Sequence, residues 1–244
     1  MTGAGPYYRD DLALAHHRGF GFYAELCAPG ILALLEPVRE RDGLVVEIGC
    51  GSGLLTRFLT DAGHRVLATD ASPAMLALAQ QTAPAAETRR LTLPDDPVPE
   101  ADAVVGVGHA LNYLPDRQAI ERALAALARA LRPGGLLAID LCDLEWARLR
   151  VDARPQGWAG SDWALVTEFS VPATDRFVRQ IAVFIRNDDG RSWRRSDERH
   201  DNVMVDTALV PALLAEHGVE AEVRPSFAGE QLPPGLRAVV GRRI

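Results

Sequence analysis

Val45-Val46-Glu47-Ile48-Gly49-Cys50-Gly51-Ser52-Gly53 is an apolar run that ends in a carboxylate and turns through three alternating glycines. Leu54 to Ala62 then reads as a helix. His64 to Thr69 is a second apolar run that delivers Asp70, 17 residues after Gly53. The order is strand, tight turn, helix, strand, acidic tip. Such a unit presents bare backbone at Gly49 and Gly51 to a ligand, while Asp70 stands where a carboxylate grips vicinal hydroxyls, usually those of a ribose.

The spacing separates two kinds of ribose ligand. A dinucleotide turn is Gly-x-Gly-x-x-Gly, its amides and helix N-terminus facing a pyrophosphate. Here the third glycine comes one residue early, at Gly53, and Leu54 occupies its place. Glu47 would repel a pyrophosphate, whereas it favours an ammonium or sulfonium group. The nonapeptide resembles motif I of the class I S-adenosylmethionine-dependent methyltransferases, (V/L)-(D/E)-(I/L)-G-x-G-x-G.

Outward from that unit, strands and helices alternate. Ser72-Pro73 caps and starts a helix over Ala74 to Thr82. A weak third strand covers 86–90, and Ala101 to Val107 is a fourth of buried type. Arg117 to Leu131 is a helix ended by Arg132-Pro133-Gly134-Gly135, and strand five follows at Leu136–Leu141. This alternation predicts a parallel sheet with right-handed crossovers. Before it, residues 7–41 show helical spacing, interrupted at Pro29-Gly30.

After it the pattern changes to three strands, Asp162–Val171, Arg176–Arg186 and Ser192–Val203, with Asp189-Gly190 as a hairpin turn. A helix at Thr207–His217 and strands near 219–225 and 236–243 close the chain. This resembles the α/β, three-layer, Rossmann-like seven-stranded methyltransferase sheet, whose last strand is antiparallel, with an antiparallel β insertion after strand five. The expected division is a helical lid at 1–42, a cofactor-binding core at 43–145 plus 204–244, and an acceptor-site cap at 146–203.

Composition limits the rest. The 244 residues carry a net charge of −7, with 48% hydrophobic and 24% charged residues, and every basic side chain is Arg with no Lys. An acidic balance argues against a nucleic-acid phosphate track. No apolar run approaches the roughly 20 residues that span a bilayer, and the N-terminus lacks a signal-peptide pattern. Cys27, Cys50 and Cys142 give neither a disulfide framework nor a metal-ligand pair. The expectations are a cytoplasmic, metal-independent protein, monomeric or homodimeric, without nucleic-acid or membrane partners.

Ligands on such sheets lie beyond the carboxyl ends of the strands. The resemblance implies that S-adenosylmethionine rests on Gly49 and Gly51, with Glu47 near its ammonium group and Asp70 on its ribose. It places Ala71 and Met75 beside the adenine, though Met75 also reads as a core methionine. An acid after strand three would accept from the adenine amino group. Here Leu91-Thr92-Leu93 stands there and Asp95 and Asp96 come late, so Thr92 and Leu93 are the candidates. Gly108 is expected to meet the cofactor through its carbonyl, and Tyr8 in the lid to reach the cofactor carboxylate.

His109 follows Gly108, where an imidazole either accepts a proton from the methyl acceptor or only hydrogen-bonds cofactor or helix. On Ser192–Val203, alternation puts Arg194, Ser196, Glu198, His200 and Asn202 on one face and Trp193, Arg195, Asp197, Arg199 and Asp201 on the other. Neither face is apolar. That suits a polar cavity in which Glu198 and His200 line the acceptor site, or a solvated edge ribbon with cross-strand ion pairs. Trp158, Trp163 and Trp193 are either walls for a flat acceptor or this small sheet's own core. The expected activity is metal-independent methyl transfer from S-adenosylmethionine to an oxygen or nitrogen of a small-molecule acceptor (EC 2.1.1 type), with His109, His200 and Glu198 as catalytic candidates. The alternative is a non-methylating use of the same cofactor, such as a cyclisation or rearrangement.

Overall fold

A computed structural model of the chain describes residues 7–244. Strand β1 (Leu44–Ile48) lies near the middle of a seven-stranded sheet, flanked by β2 (Arg65–Asp70) and β4 (Ala101–Gly106), both parallel to it. With β3 (Glu87–Arg90), β5 (Leu131–Cys142), β10 (Val219–Arg224) and β11 (Leu236–Arg243), the order is β10-β11-β5-β4-β1-β2-β3. Strand β11 is antiparallel to both neighbours, as expected.

The apolar runs follow from burial on both faces. Val45 and Val105 join one core with helices α2 (Phe22–Arg39), α3 (Leu54–Asp61) and α4 (Pro73–Thr82). Val46 and Val104 join the opposite core with α5 (Arg117–Ala130) and the helix Val210–Ala215. A sheet covered on both faces has no need of a polar alternation. Local signals set the helix starts. Ser72 Oγ accepts the Met75 N–H at the head of α4, and the Asp116 carboxylate accepts the Ala119 N–H at the head of α5.

Two expectations need correction. The N-terminal break falls at Phe20-Gly21, between α1 (Asp10–Gly19) and α2, and α2 runs straight through Pro29-Gly30. Burial of Cys27, Ile31 and Leu35 outweighs the helix-breaking pair. Gly30 instead admits a loop: a Cβ there would sit 2.4 Å from a Glu230 oxygen. The second correction concerns the insertion, which has four strands, β6 (Gln156–Ala159), β7 (Trp163–Ala173), β8 (Arg176–Arg186) and β9 (Trp193–Val203), in that order. The unforeseen β6 is exposed along its whole length, so no apolar alternation marks it.

Helix α1 packs on this second sheet. Leu12 and Ala15 join Trp163, Leu165, Ile181, Val183 and Ile185 in a third apolar cluster. Trp163 thus belongs to a core, while Trp158 and Trp193 are partly exposed. No single helix among the described residues is long and apolar enough to cross a membrane.

Candidate active site

Strand order reverses around β1 and β4, so the crevice beyond their carboxyl ends is the natural ligand site. The turn after β1 keeps Gly49 and Gly51 at φ 62° and 53°, a region where a side chain is strained. A Cβ on Gly49 would also strike Ala110 at 2.5 Å, whereas one on Gly51 would meet nothing nearer than Met75 Sδ at 4.0 Å. The backbone at Gly51 is therefore open to close approach, and Met75, itself buried, underlies it.

Asp70 ends β2 with both carboxylate oxygens engaged. Oδ2 accepts the Gly51 N–H at 2.9 Å and Oδ1 the Ser72 N–H at 2.8 Å. Burial raises its pKa against the pull of those N–H groups. One accepting direction on each oxygen remains for a pair of hydroxyls. Glu47, 2% exposed, accepts only the Thr56 hydroxyl, at 2.6 Å. Burial pushes its pKa up to about 8, so a neighbouring ammonium would find a carboxyl with no other cation at hand. Ala71 is half-buried between Asp70 and Ser72. Thr92 and Leu93 follow β3, and Asp96 turns back to accept the Thr92 N–H at 2.7 Å.

Beyond β4, the left-handed residues Gly108 and His109 lead into a 3-10 turn, Ala110–Tyr113. Their shape is held by Asp140 on β5. Its Oδ2 accepts the Gly108 N–H (3.0 Å) and the Tyr23 hydroxyl, and its Oδ1 accepts the His109 N–H (2.7 Å). Asp140 escaped the sequence reading, although an acid inside the buried run Ile139-Asp140-Leu141 is itself a signal. The His109 ring stacks on Tyr113 with centroids 5.6 Å apart. Its Nδ1 is buried without a hydrogen-bond partner among the described residues, and burial, then Arg179, lowers its pKa to about 3. At neutral pH it is an uncharged imidazole.

The polar face of β9 turns inward at Glu198, His200 and Asn202. His200 is fully buried, and its Nε2 lies 2.9 Å from Glu198 Oε2. Arg179, its cross-strand partner on β8, lies 3.2 Å from His200 Nδ1. The guanidinium must donate there, so the His200 proton sits on Nε2 and faces Glu198. Arg179 also donates to the Tyr113 hydroxyl, which is 2.8 Å from that of Tyr8. His109, His200 and Tyr8 thus meet around Tyr113, a residue missed from sequence, with Glu198 bonded to the far side of His200. The Tyr8 hydroxyl points into this cluster.

Hydrogen bonds tie the N-terminal segment across the crevice. Glu198 accepts the Tyr8 and Arg9 N–H groups at 2.8 and 2.7 Å. Ser72 Oγ donates to the Tyr8 carbonyl at 2.7 Å, and His17 Nδ1 lies 3.0 Å from Ser52 Oγ. The insertion is fastened by Asn112, fully buried, whose Nδ2 donates to the Cys142 and Val203 carbonyls and whose Oδ1 accepts the Cys142 N–H. Surface grooves at Leu144, Arg148 and Val171 and at Glu220, Arg224 and Val240 share no residue with this cluster.

Strand order, glycine turn and acidic tip match a known fold: the chain has the class I S-adenosylmethionine-dependent methyltransferase fold, and its residues 45–135 match the family described as "Methyltransferase domain". Among its relatives, the chain is 33% identical over 156 residues to the malonyl-[acyl-carrier protein] O-methyltransferase of Pectobacterium atrosepticum, covering 60% of this chain and 61% of that one. It is likewise 33% identical over 132 residues to the trans-aconitate 2-methyltransferase of Mycobacterium tuberculosis, covering 53% of this chain and 46% of that one. In three dimensions it resembles a sugar N-methyltransferase from Streptoalloteichus, with a TM-score of 0.79 at 22% identity over 100% of this chain and 97% of that one.

Proposed function

We propose that the chain transfers a methyl group from S-adenosylmethionine to an oxygen or nitrogen of a small molecule. The observation that carries this is the Gly51–Asp70 pair: an open glycine backbone whose amide is bonded to a carboxylate with acceptor capacity left over. The donor set suits this cofactor in three places. Asp70 offers two oxygens to a ribose diol, Glu47 offers a carboxyl to an ammonium, and the face of Gly51 is bare. Relatives named as a malonyl-[acyl-carrier protein] O-methyltransferase, a trans-aconitate 2-methyltransferase and a sugar N-methyltransferase favour methyl transfer over a rearrangement with the same cofactor.

When bound, S-adenosylmethionine supplies an activated methyl group on a good leaving group, so alignment and exclusion of water provide much of the rate. Gly49, Gly51, Asp70, Ala71, Met75, Thr92, Leu93 and Gly108 hold the cofactor. The described part of the proposed lid (7–42), through Tyr8, and the cap (146–203) cover the core (43–145 and 204–244) and exclude water. His109 Nδ1 accepts a hydrogen bond from the acceptor's hydroxyl or amine and aims its lone pair. Glu198 and His200 position Tyr8 and Arg179 around it.

The test is to incubate the protein with isotope-labelled S-adenosylmethionine and a small-molecule fraction of cell extract. Label in a small molecule, with S-adenosylhomocysteine released, supports the reading. Label fixed on nucleic acid or protein contradicts it.

A further inference from the structure

The inward face of β8 reads Phe177, Arg179, Ile181, Val183, Ile185, and all but Arg179 are buried apolar residues. A guanidinium in such a row must find compensation for lost water. Among the described residues it finds no carboxylate. Its hydrogen bonds all leave from Nη2, toward Tyr113, His200 and Tyr8, and its buried Nε has no partner.

The acids nearby are already committed. Glu198 is taken by Tyr8, Arg9 and His200, and Asp140 by Gly108, His109 and Tyr23. A second cation, Arg150, stacks on Trp146, whose ring is 6.0 Å from that of His109. Among the described residues, a guanidinium with a buried, unpartnered Nε and no carboxylate in contact thus stands near His109, its N–H groups and two tyrosine hydroxyls converging on one place. That set matches the planar oxygens of a carboxylate, which a guanidinium binds through paired hydrogen bonds.

We infer that Arg179 anchors a carboxylate carried by the methyl acceptor. This rests on the methyl-transfer reading of the site and narrows it: the acceptor is a small organic acid, held by its acid group with the reacting atom toward His109.

Acetate is the probe. Protein with isotope-labelled arginine side chains is titrated at constant ionic strength with sodium acetate, sodium chloride or inorganic phosphate, with and without S-adenosylhomocysteine. The expected result is a saturable shift of one side-chain N–H signal with acetate alone, absent in Arg179→Met and weakened at least tenfold in Arg179→Lys. Calorimetry should leave S-adenosylhomocysteine affinity within a factor of three in Arg179→Lys, which keeps the charge should the Met variant not fold. Acetate behaving like chloride overturns the inference, as does a preference for phosphate. Displacement of acetate by S-adenosylhomocysteine also overturns it, since Arg179 would then hold the cofactor. If the wild type binds no S-adenosylhomocysteine but still binds acetate at Arg179, the methyl-transfer reading fails while the anion site stands.

Discussion

Asp140 Oδ1 accepts the backbone N–H of His109 at 2.7 Å, and that bond fixes where the imidazole lies. His109 sits at φ 49°, a left-handed conformation costing a non-glycine residue about 1–2 kcal/mol, so something must hold it. An asparagine amide in place of this carboxylate would turn N–H groups toward backbone donors. Asp140→Asn should lower stability by about 2 kcal/mol in urea denaturation. An unchanged midpoint would mean the loop keeps its shape without this acceptor.

Glu47 makes stability depend on pH. Its folded pKa of about 8 lies above the ordinary 4.5, because burial disfavours the charged form. The sign follows: its contribution is full below the ordinary value and is lost as pH rises toward the folded one, at about 1.4 kcal/mol per pH unit. Glu47→Gln should flatten that part of a stability profile, since a Gln carbonyl still accepts from Thr56. Cofactor binding near neutral pH should release a proton from the wild type and none from this variant, as read by calorimetry in buffers of different ionisation enthalpy.

His109 offers an unpartnered Nδ1, and its pKa of about 3 keeps it neutral across the working range. His109→Ala should cut turnover about 100-fold while changing cofactor affinity far less. The pH profile of the wild type should show no imidazole titration from this residue. A cofactor affinity that falls as much as turnover would make His109 a cofactor contact instead.

Asn112 joins three pieces of chain through bonds to Cys142 and Val203. Removing a buried side chain with three hydrogen bonds leaves backbone groups unpaired. Asn112→Ala should cost about 3 kcal/mol and speed hydrogen exchange in β9. Protection unaltered at Val203 would show that the insertion is held by other contacts.

The core was legible because its residues act locally. Alternating glycines, an acid at the end of each of two apolar runs, and the Ser72-Pro73 cap each fix a few neighbouring residues. The insertion was harder, since its strand β9 is polar on both faces and only the fold shows which one turns inward. Arg179 and Tyr113 belong to segments 66 positions apart, and no local pattern records their meeting. The break in the N-terminal helices was misplaced because Pro29-Gly30 is overruled by core contacts and by a loop docking on Gly30.

The proposed methyl transfer requires that the Gly49–Gly53 turn and Asp70 bind S-adenosylmethionine. Calorimetric titration with S-adenosylhomocysteine, on wild type and Asp70→Ala, tests it most directly. Two charge-assisted hydrogen bonds of about 1.5–3 kcal/mol each correspond to a loss of roughly 100-fold or more. Saturable binding by the wild type and none detectable in the variant is the expected result. Undiminished binding by a folded Asp70→Ala protein would contradict it.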